Sequence, residues 1–421
     1  MPTFRFIHTA DLHLDSPFHG LGQVSEHLQT RIARAPLVAL RRIVDACLEH
    51  RVHCLIIAGD FFDGGRVSLH TQAYVRSQLE RLAKAGIVVA AAAGNHDPLS
   101  DGNFQLGWPE NVIWFPADRV GEVEIPLEEG QVALVRGVSY GQRDVAEDLS
   151  ELFPPADHDG WQVAVLHTSV EGLGGTENYS PTTRQALLDK GYRYWALGHV
   201  HGARILYQGP ETTIAYSGSP QGLNRLERGE KGCYLVELGQ EGVLDHRFLP
   251  CSDVVWEEVE VSISEVPTVE DLVEEVGHRL DELAARYEGR GVLAQVEING
   301  RGPLHHWLRH DQAAEELLSL WQEQVETWES GFVFPHGVTI NTRRDIDLEE
   351  LERGQDFLAE LLTVAEQLAS HPQGEILQAL EPLTAHRRAR RYLEPLSQGE
   401  IKTLVTEGKL LALDRLLGDE K

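Results

Sequence analysis

Five short blocks of the sequence carry side chains that could do chemistry together: Asp11-Leu12-His13, Gly59-Asp60-Phe61-Phe62-Asp63, Gly94-Asn95-His96-Asp97, His167 and Gly198-His199-Val200-His201. Asp11, His13, Asp60, Asn95, His167, His199 and His201 make a nitrogen and oxygen donor set without a thiolate. Such a set suits borderline-hard divalent ions such as Mn²⁺, Fe²⁺ or Zn²⁺. Seven donors are too many for one closed tetrahedral site. They suit two ions that share a bridging carboxylate. In the first and last blocks the two ligands are one residue apart, so they point the same way in an extended segment. Gly59, Gly94 and Gly198 admit turns and close approaches that a Cβ would hinder. Each block alone has an ordinary reading: a chance Asp-x-His, a strand end with a helix cap, a turn, a packed histidine. Their joint occurrence, in this order and each at a strand end, points to a metal centre.

The elements that position these blocks can be read from apolar spacing. Residues 4–9 read as a strand, and Ile32, Leu40, Ile43, Val44, Cys47 and Leu48 recur at helical spacing. Residues 54–58 and 87–93 are continuous apolar runs, as in strands buried on both faces, with a helix between them over about 69–84. Further strands are expected over 132–138, 162–166, 194–197, 213–216, 233–237 and 243–248. Loops at the carboxyl ends of such strands converge on one crevice. Helices alternating with strands early, and strands alone later, predict an α/β two-sheet sandwich flanked by helices. Beyond residue 251 a strand (254–263), a helix (269–287), a strand (292–298) and a helix (312–327) predict a small α+β domain. From Asp347 the chain reads as helical, with an amphipathic stretch over 348–368 and breaks at Pro382 and Pro395. The expected domains are therefore 1–250, 251–340 and 341–421.

The five blocks resemble the signature of the calcineurin-like metallophosphoesterase superfamily: DxH, GDxxD, GNH followed by an acid, a lone His, and GHxH. Their flanks, FIHTADLHLDSPF at 6–18, LGHVHGAR at 197–204 and YSGSPQGLNRLERGEKG at 216–232, look like the bacterial SbcD-like DNA repair exonucleases, especially the YhaO-type branch. The resemblance is strong over about residues 1–250 and loose beyond. It implies one ion, most simply Mn²⁺, held by Asp11, His13, Asp60 and His201. A second would be held by Asp60, Asn95, His167 and His199, with Asp60 as the bridge. His96 then faces the scissile phosphate. Asp63 or Asp97 would hydrogen-bond His96 and hold its tautomer; for Asp97 a turn or cap before Pro98 is the other reading. The implied activity is that of a DNA exonuclease, with endonuclease action also open. Hydroxide formed between two ions attacks a phosphate in line, and His96 protonates the leaving oxygen or stabilises the transition state. Such nucleases also carry a capping domain, here 251–340, that orients the DNA end. A helical C-terminal segment docks an SbcC-like coiled-coil ATPase, here through Leu351, Phe357, Leu358, Leu361 and Leu362. A homodimer is implied as well.

Composition adds bounds. A chain of 421 residues exceeds one ordinary core, so two or three domains are expected. Cys47, Cys54, Cys233 and Cys251 form no CxxC pair and are expected as buried thiols in a reducing compartment. The N-terminus runs straight into a strand without the features of a signal peptide. No segment approaches the roughly 20 apolar residues of a membrane span. A soluble cytoplasmic protein is expected. The net charge of −29 is the wrong sign for a DNA-coating surface. Basic and acidic side chains number 21 and 31 up to residue 250, against 16 and 35 after it. Nucleic-acid contact must therefore be local or shared with a partner. The charge keeps open an enzyme of the same chemistry on small substrates, such as a cyclic nucleotide phosphodiesterase or a lipid-linked pyrophosphatase. A non-catalytic scaffold between an ATPase and DNA is a further alternative. Ser219 reads as a turn residue or a phosphate contact, and Arg225, Arg228 and Lys231 as a solvated hairpin or a small basic group. The run His386–Arg391 reads as an exposed helical face or as a contact with DNA or an acidic partner. His305, His306 and His310 read as surface residues.

Overall fold

The protein is described by a computed structural model covering residues 2–22, 24–64, 67–102, 104–156, 160–173, 179–323, 331–346, 348–370 and 398–417. Two compact units emerge. One comprises Met1–Val259, His278–Val296 and Leu318–Gly337; the other comprises Glu260–Gly277, Glu297–Leu317 and Val338–Lys421.

The first unit is built on two mixed sheets of six strands. In chain order its strands are β1 (Phe4–Thr9), β2 (Cys54–Ala58), β3 (Val88–Ala92), β4 (Val112–Trp114), β5 (Gly121–Pro126), β6 (Val132–Val138), β7 (Gln162–His167), β8 (Tyr194–Gly198), β9 (Arg204–Gln208), β10 (Thr213–Tyr216), β11 (Gly232–Leu238) and β12 (Val243–Pro250). The first sheet runs β12-β11-β1-β2-β3-β4, parallel from β1 to β4 and antiparallel at β11 and β12. The second runs β5-β6-β7-β8-β10-β9, parallel from β6 through β10 and antiparallel at both edges.

Period-two alternation sorts each parallel strand's apolar side chains onto two faces. Phe6, Ile56, Ala58 and Ala90 from the first sheet pack against Val135, Val163, Val165, Tyr194 and Ala196 from the second, forming the core between the sheets. Ile7, Leu55, Ile57 and Val89 point outward onto α1 (Glu26–Glu49) and α2 (Leu69–Lys84). Helix α1 starts where the Ser25 hydroxyl accepts from the Leu28 amide, and it buries Leu40, Ile43, Val44 and Cys47 on one stripe. Truncating a side chain such as Ile56 to alanine would cost about 2–5 kcal/mol. Trp195, Leu197 and Ile214 cover the outer face of the second sheet. A buried polar tie crosses the seam: His8 Nδ1 lies 3.0 Å from the Tyr194 hydroxyl, and His8 Nε2 lies 3.1 Å from the Leu197 carbonyl.

Several strands had no counterpart in the apolar pattern. β4 is three residues long, and β9 is an edge strand without a fully buried residue. β5, GEVEIP, alternates exposed charges with buried Val123 and Ile125. A third sheet runs β13 (Val254–Ser262), β14 (Gly291–Arg301) and β15 (Phe332–Arg343). β15 was not expected, because Pro335 and Gly337 interrupt its run.

The remaining helices are α3 (Arg184–Asp189), α4 (Val269–Arg286), α5 (His305–Leu308), α6 (Ala313–Glu323), α7 (Leu348–Glu352), α8 (Phe357–Ser370) and α9 (Gln398–Leu417). The C-terminal segment is thus helical where it is described. Within its apolar stripe Leu362 is buried and Phe357 is exposed. Pro382, His386–Arg391 and Pro395 lie outside the described residues. All four cysteines are free and buried. No helix among the described residues is long and apolar enough to cross a membrane.

Candidate metal centre

All five sequence blocks come together at the carboxyl ends of the parallel strands of the first unit. Asp11 and His13 follow β1, Asp60 follows β2, Asn95 and His96 follow β3, His167 ends β7, and His199 and His201 follow β8. Asp11, His13 and His201 offer ligand atoms to one point, and Asp11, Asp60 and His167 to another; His13, Asp60 and His96 form a third such group. His13 Nε2 and His201 Nε2 lie 3.1 Å apart. His167 Nε2 lies 2.9 Å from Asn95 Oδ1 and 3.3 Å from Asp60 Oδ2.

Backbone geometry holds these groups. Asp11, His13, Asp60 and His199 have φ of 51°, 43°, 51° and 101°, in the region that side chains with a Cβ rarely adopt. Such conformations persist only where the surroundings over-determine them. Here the Asp11 amide donates to the Gly59 carbonyl at 3.0 Å and the His13 amide to the Asp60 carbonyl at 3.1 Å. The His199 amide donates to the Asp11 carboxylate at 2.9 Å, and the His96 amide to Asp60 Oδ1 at 2.9 Å. The glycines make room for side chains. A Cβ on Gly59 would lie 2.1 Å from His167 Nδ1, and one on Gly94 would lie 2.2 Å from Asp60 Oδ1.

Electrostatics follow from this packing. Burial alone would raise the Asp60 carboxyl, but the His167 and His13 imidazoles hold it below the usual carboxylate range. Burial opposes a charge on His167, yet Asp60 and Asp11 bring it up to about 9. Two buried acids thus draw positive charge into the cluster. His199 is the counterpart: burial and His167 push it down to about 3, and its Nε2 is buried without a hydrogen-bond partner. A neutral imidazole nitrogen facing a cluster of acids, with no protein donor to accept from, fits an ion ligand. The donor set and this orphaned nitrogen both fit divalent metal.

His96 differs from the rest. Its side chain is 43% exposed, and its Nδ1 bonds Asp63 Oδ1. The Asp63 hydrogen bond raises its pKa above the ordinary imidazole value. Asp63 also accepts from the Ser16 hydroxyl at 2.7 Å. Asp97 does not reach His96. Its carboxylate accepts from the amides of Phe61, Phe62 and Gly94 at 2.8, 3.2 and 2.9 Å, closing the turn, so it ties the loop after β2 to the loop after β3.

Residues matching the calcineurin-like phosphoesterase family span 4–203. Over 408 residues the chain is 30% identical to the uncharacterized metallophosphoesterase YhaO of Bacillus subtilis, covering 96% of each protein. The chain belongs to the calcineurin-like metallophosphoesterases. Residues 256–343 match the middle domain of metallophosphoesterase YhaO. The chain is also 25% identical over 318 residues to DNA double-strand break repair protein Mre11 of Methanopyrus kandleri, covering 71% of this chain and 65% of that one. With the SbcD component of the SbcCD nuclease of Bacillus subtilis it shares 24% identity over 298 residues, 61% of this chain and 70% of that one. As a calcineurin-like phosphoesterase, the chain is a hydrolase of a family that works with divalent metal ions.

One residue of this metallophosphoesterase's site has no signature in the five blocks. Glu227 Oε1 lies 3.2 Å from His201 Nδ1, orienting that ring. It also accepts from the Ser219 hydroxyl at 3.3 Å and from the Asn224 side chain. Ser219 is therefore a buried member of this network. Arg225 is exposed, Arg228 pairs with Glu258, and Lys231 is half-buried with its ammonium 3.5 Å from the His201 carbonyl. Between two arginines Glu227 looked like a solvated charge. The Asn-x-x-Glu spacing, resembling a capping box, was the signal that could have found it.

Proposed function

We propose that the chain is a manganese-dependent DNA exonuclease, open to endonuclease action as well, that acts in DNA repair. The observation that carries this reading is the pairing of a buried Asp/His/Asn cluster with one half-exposed imidazole beside it, His96, fixed through Nδ1 by Asp63. In this reading Asp11, His13, Asp60 and His201 would hold one ion, and Asp60, Asn95, His167 and His199 the other, with Asp60 shared. Divalent ions bound there supply nucleophile activation and neutralise charge on the phosphoryl oxygens. His96, with Nδ1 engaged, has Nε2 left to give a proton to the leaving oxygen or to stabilise charge on it. Asp63 keeps the ring in that tautomer and Glu227 keeps His201 turned inward. Support for DNA as substrate comes from the relatives named for DNA double-strand break repair and for nuclease action.

The same relatives support domain roles: catalysis over 1–250, a cap over 251–340 that presents the DNA end, and a docking segment over 341–421. An SbcC-like coiled-coil ATPase is the proposed partner, the assembly a cytoplasmic one, and a homodimer its core. An ATPase would also supply cationic surface that a chain of net charge −29 lacks. That same charge favours a second reading, hydrolysis of a small phosphodiester or pyrophosphate.

End-labelled duplex and hairpin DNA, bis-p-nitrophenyl phosphate and cyclic AMP, each with Mn²⁺ and with or without the ATPase, separate the two. Stepwise shortening of DNA that rises with the ATPase is expected. Turnover of the small diesters with DNA left intact under both conditions would overturn the nuclease reading. Loss of ATPase co-purification after truncation at residue 345 is expected of the docking segment; an intact complex would refute docking there.

A further inference from the structure

Within the second unit, α5, the end of β15 and α9 enclose a cavity of about 560 Å³. We propose that this cavity binds the phosphoryl group of a small phosphate ester, of nucleotide size or less. Arg309, Arg343, Arg344 and Arg415 line it together with His305. Asp414 is the one acid among the lining residues, and Arg301 engages both of its carboxylate oxygens, at 2.9 and 2.6 Å. That pairing neutralises the acid, while Arg343 approaches it no closer than 3.6 Å. Arg344 carries the sharpest signal: its Nη2 is buried and has no hydrogen-bond partner. A buried guanidinium N–H is costly to leave unmade, and an anion in the cavity would satisfy it.

Charge distribution makes the same point. After residue 250 the sequence holds 16 basic and 35 acidic side chains, yet four arginines converge here. Like charges gathered in one concave site repel unless an anion joins them. The planar guanidinium fork matches phosphate geometry, which separates this cluster from a scatter of lysines. The volume lies in the range of small-ligand sites. Ile340 and Leu411 give one wall an apolar surface on which a base or similar group could lie. His305, expected at the surface, is half-buried here, with Nδ1 2.9 Å from the Thr342 hydroxyl. No residue of the metal centre takes part, so binding in this cavity does not depend on DNA being the substrate.

Calorimetric titration of the full-length, metal-loaded chain with inorganic phosphate, pyrophosphate and a deoxynucleoside monophosphate tests it. One binding event that persists after chelation of the metals is expected. It should weaken at least tenfold in Arg344→Ala and in Arg343→Ala, and less in Arg344→Lys, with thermal stability and phosphodiester hydrolysis unchanged. Equal affinity for phosphate and nucleotide would identify the free ion as ligand; tighter nucleotide binding would identify the ester. Titrations in which the arginine variants match the parent, or in which no phosphate compound binds after chelation, would overturn the proposal. So would binding confined to long oligonucleotides or to an acidic peptide.

Discussion

The two six-stranded sheets reach the metal centre with unlike contributions. Loops of the first sheet bring Asp11, Asp60 and Asp63, with His13, Asn95 and the half-exposed His96. Strand ends of the second bring imidazoles alone: His167, His199 and His201. Backbone cost is divided the same way, since Asp11, His13 and Asp60 sit at positive φ on the first sheet and His199 alone does on the second. The acidic side of the site is made from strained loops locked by amide donors. The neutral side is made mostly from regular strand ends. Charge and strain are concentrated on one sheet, so damage there should reach further.

The largest expected effect is on Asp60, whose carboxylate faces histidines from both sheets. Asp60→Ala should abolish turnover and empty both metal positions, whereas His167→Ala should lose one ion; metal analysis per chain reads the contrast, and equal losses would break it. Next comes His96→Asn, expected to lower kcat about 10²–10⁴-fold while both ions stay bound. Full activity in that variant would remove His96 from the chemistry. Glu227→Gln tests support from the second sheet's side, with metal affinity expected to weaken about 10–100-fold at the position next to His201. The smallest effect concerns the seam between the sheets. Burial holds His8 down to about 3 and His246 down to about 4, against an ordinary value of 6.5. The unfolded chain therefore takes up more protons below pH 6.5, so stability is full above that pH and is lost as pH falls toward the folded values. Melting temperature followed against pH should fall on this acid limb, and His8→Leu should flatten it.

The metal centre is legible in the sequence because its ligands are unusual residue types at fixed offsets, each directly after an apolar run. Asp11, His13, Asp60, Asn95, His167, His199 and His201 needed no tertiary information to be singled out, and all seven converge. Parallel central strands such as β2 and β8 were legible because burial on both faces leaves no charged residue in them. Edge and interrupted strands were not: β9 is half-solvated, and β15 carries a proline and a glycine. Asp97 and Glu227 show the other limit. Both are acids on loops, and only the fold decides that one closes a turn while the other orients an imidazole. The cavity of the second unit was hidden because its arginines are dispersed between Arg309 and Arg415.

Burial across the centre is uneven, with Asp11, Asp60 and His167 at 1%, 2% and 0% exposure while the His201 side chain is 36% exposed. An ion seated beside His201 can trade with solvent directly. One seated against His167 can leave only when the Asn95 loop breathes. Rapid mixing with a chelator should therefore release metal in two phases, fast for the outer position and slow for the inner; a single phase would mean that both exchange together. A brief wash would then strip the outer ion and leave the inner one in place.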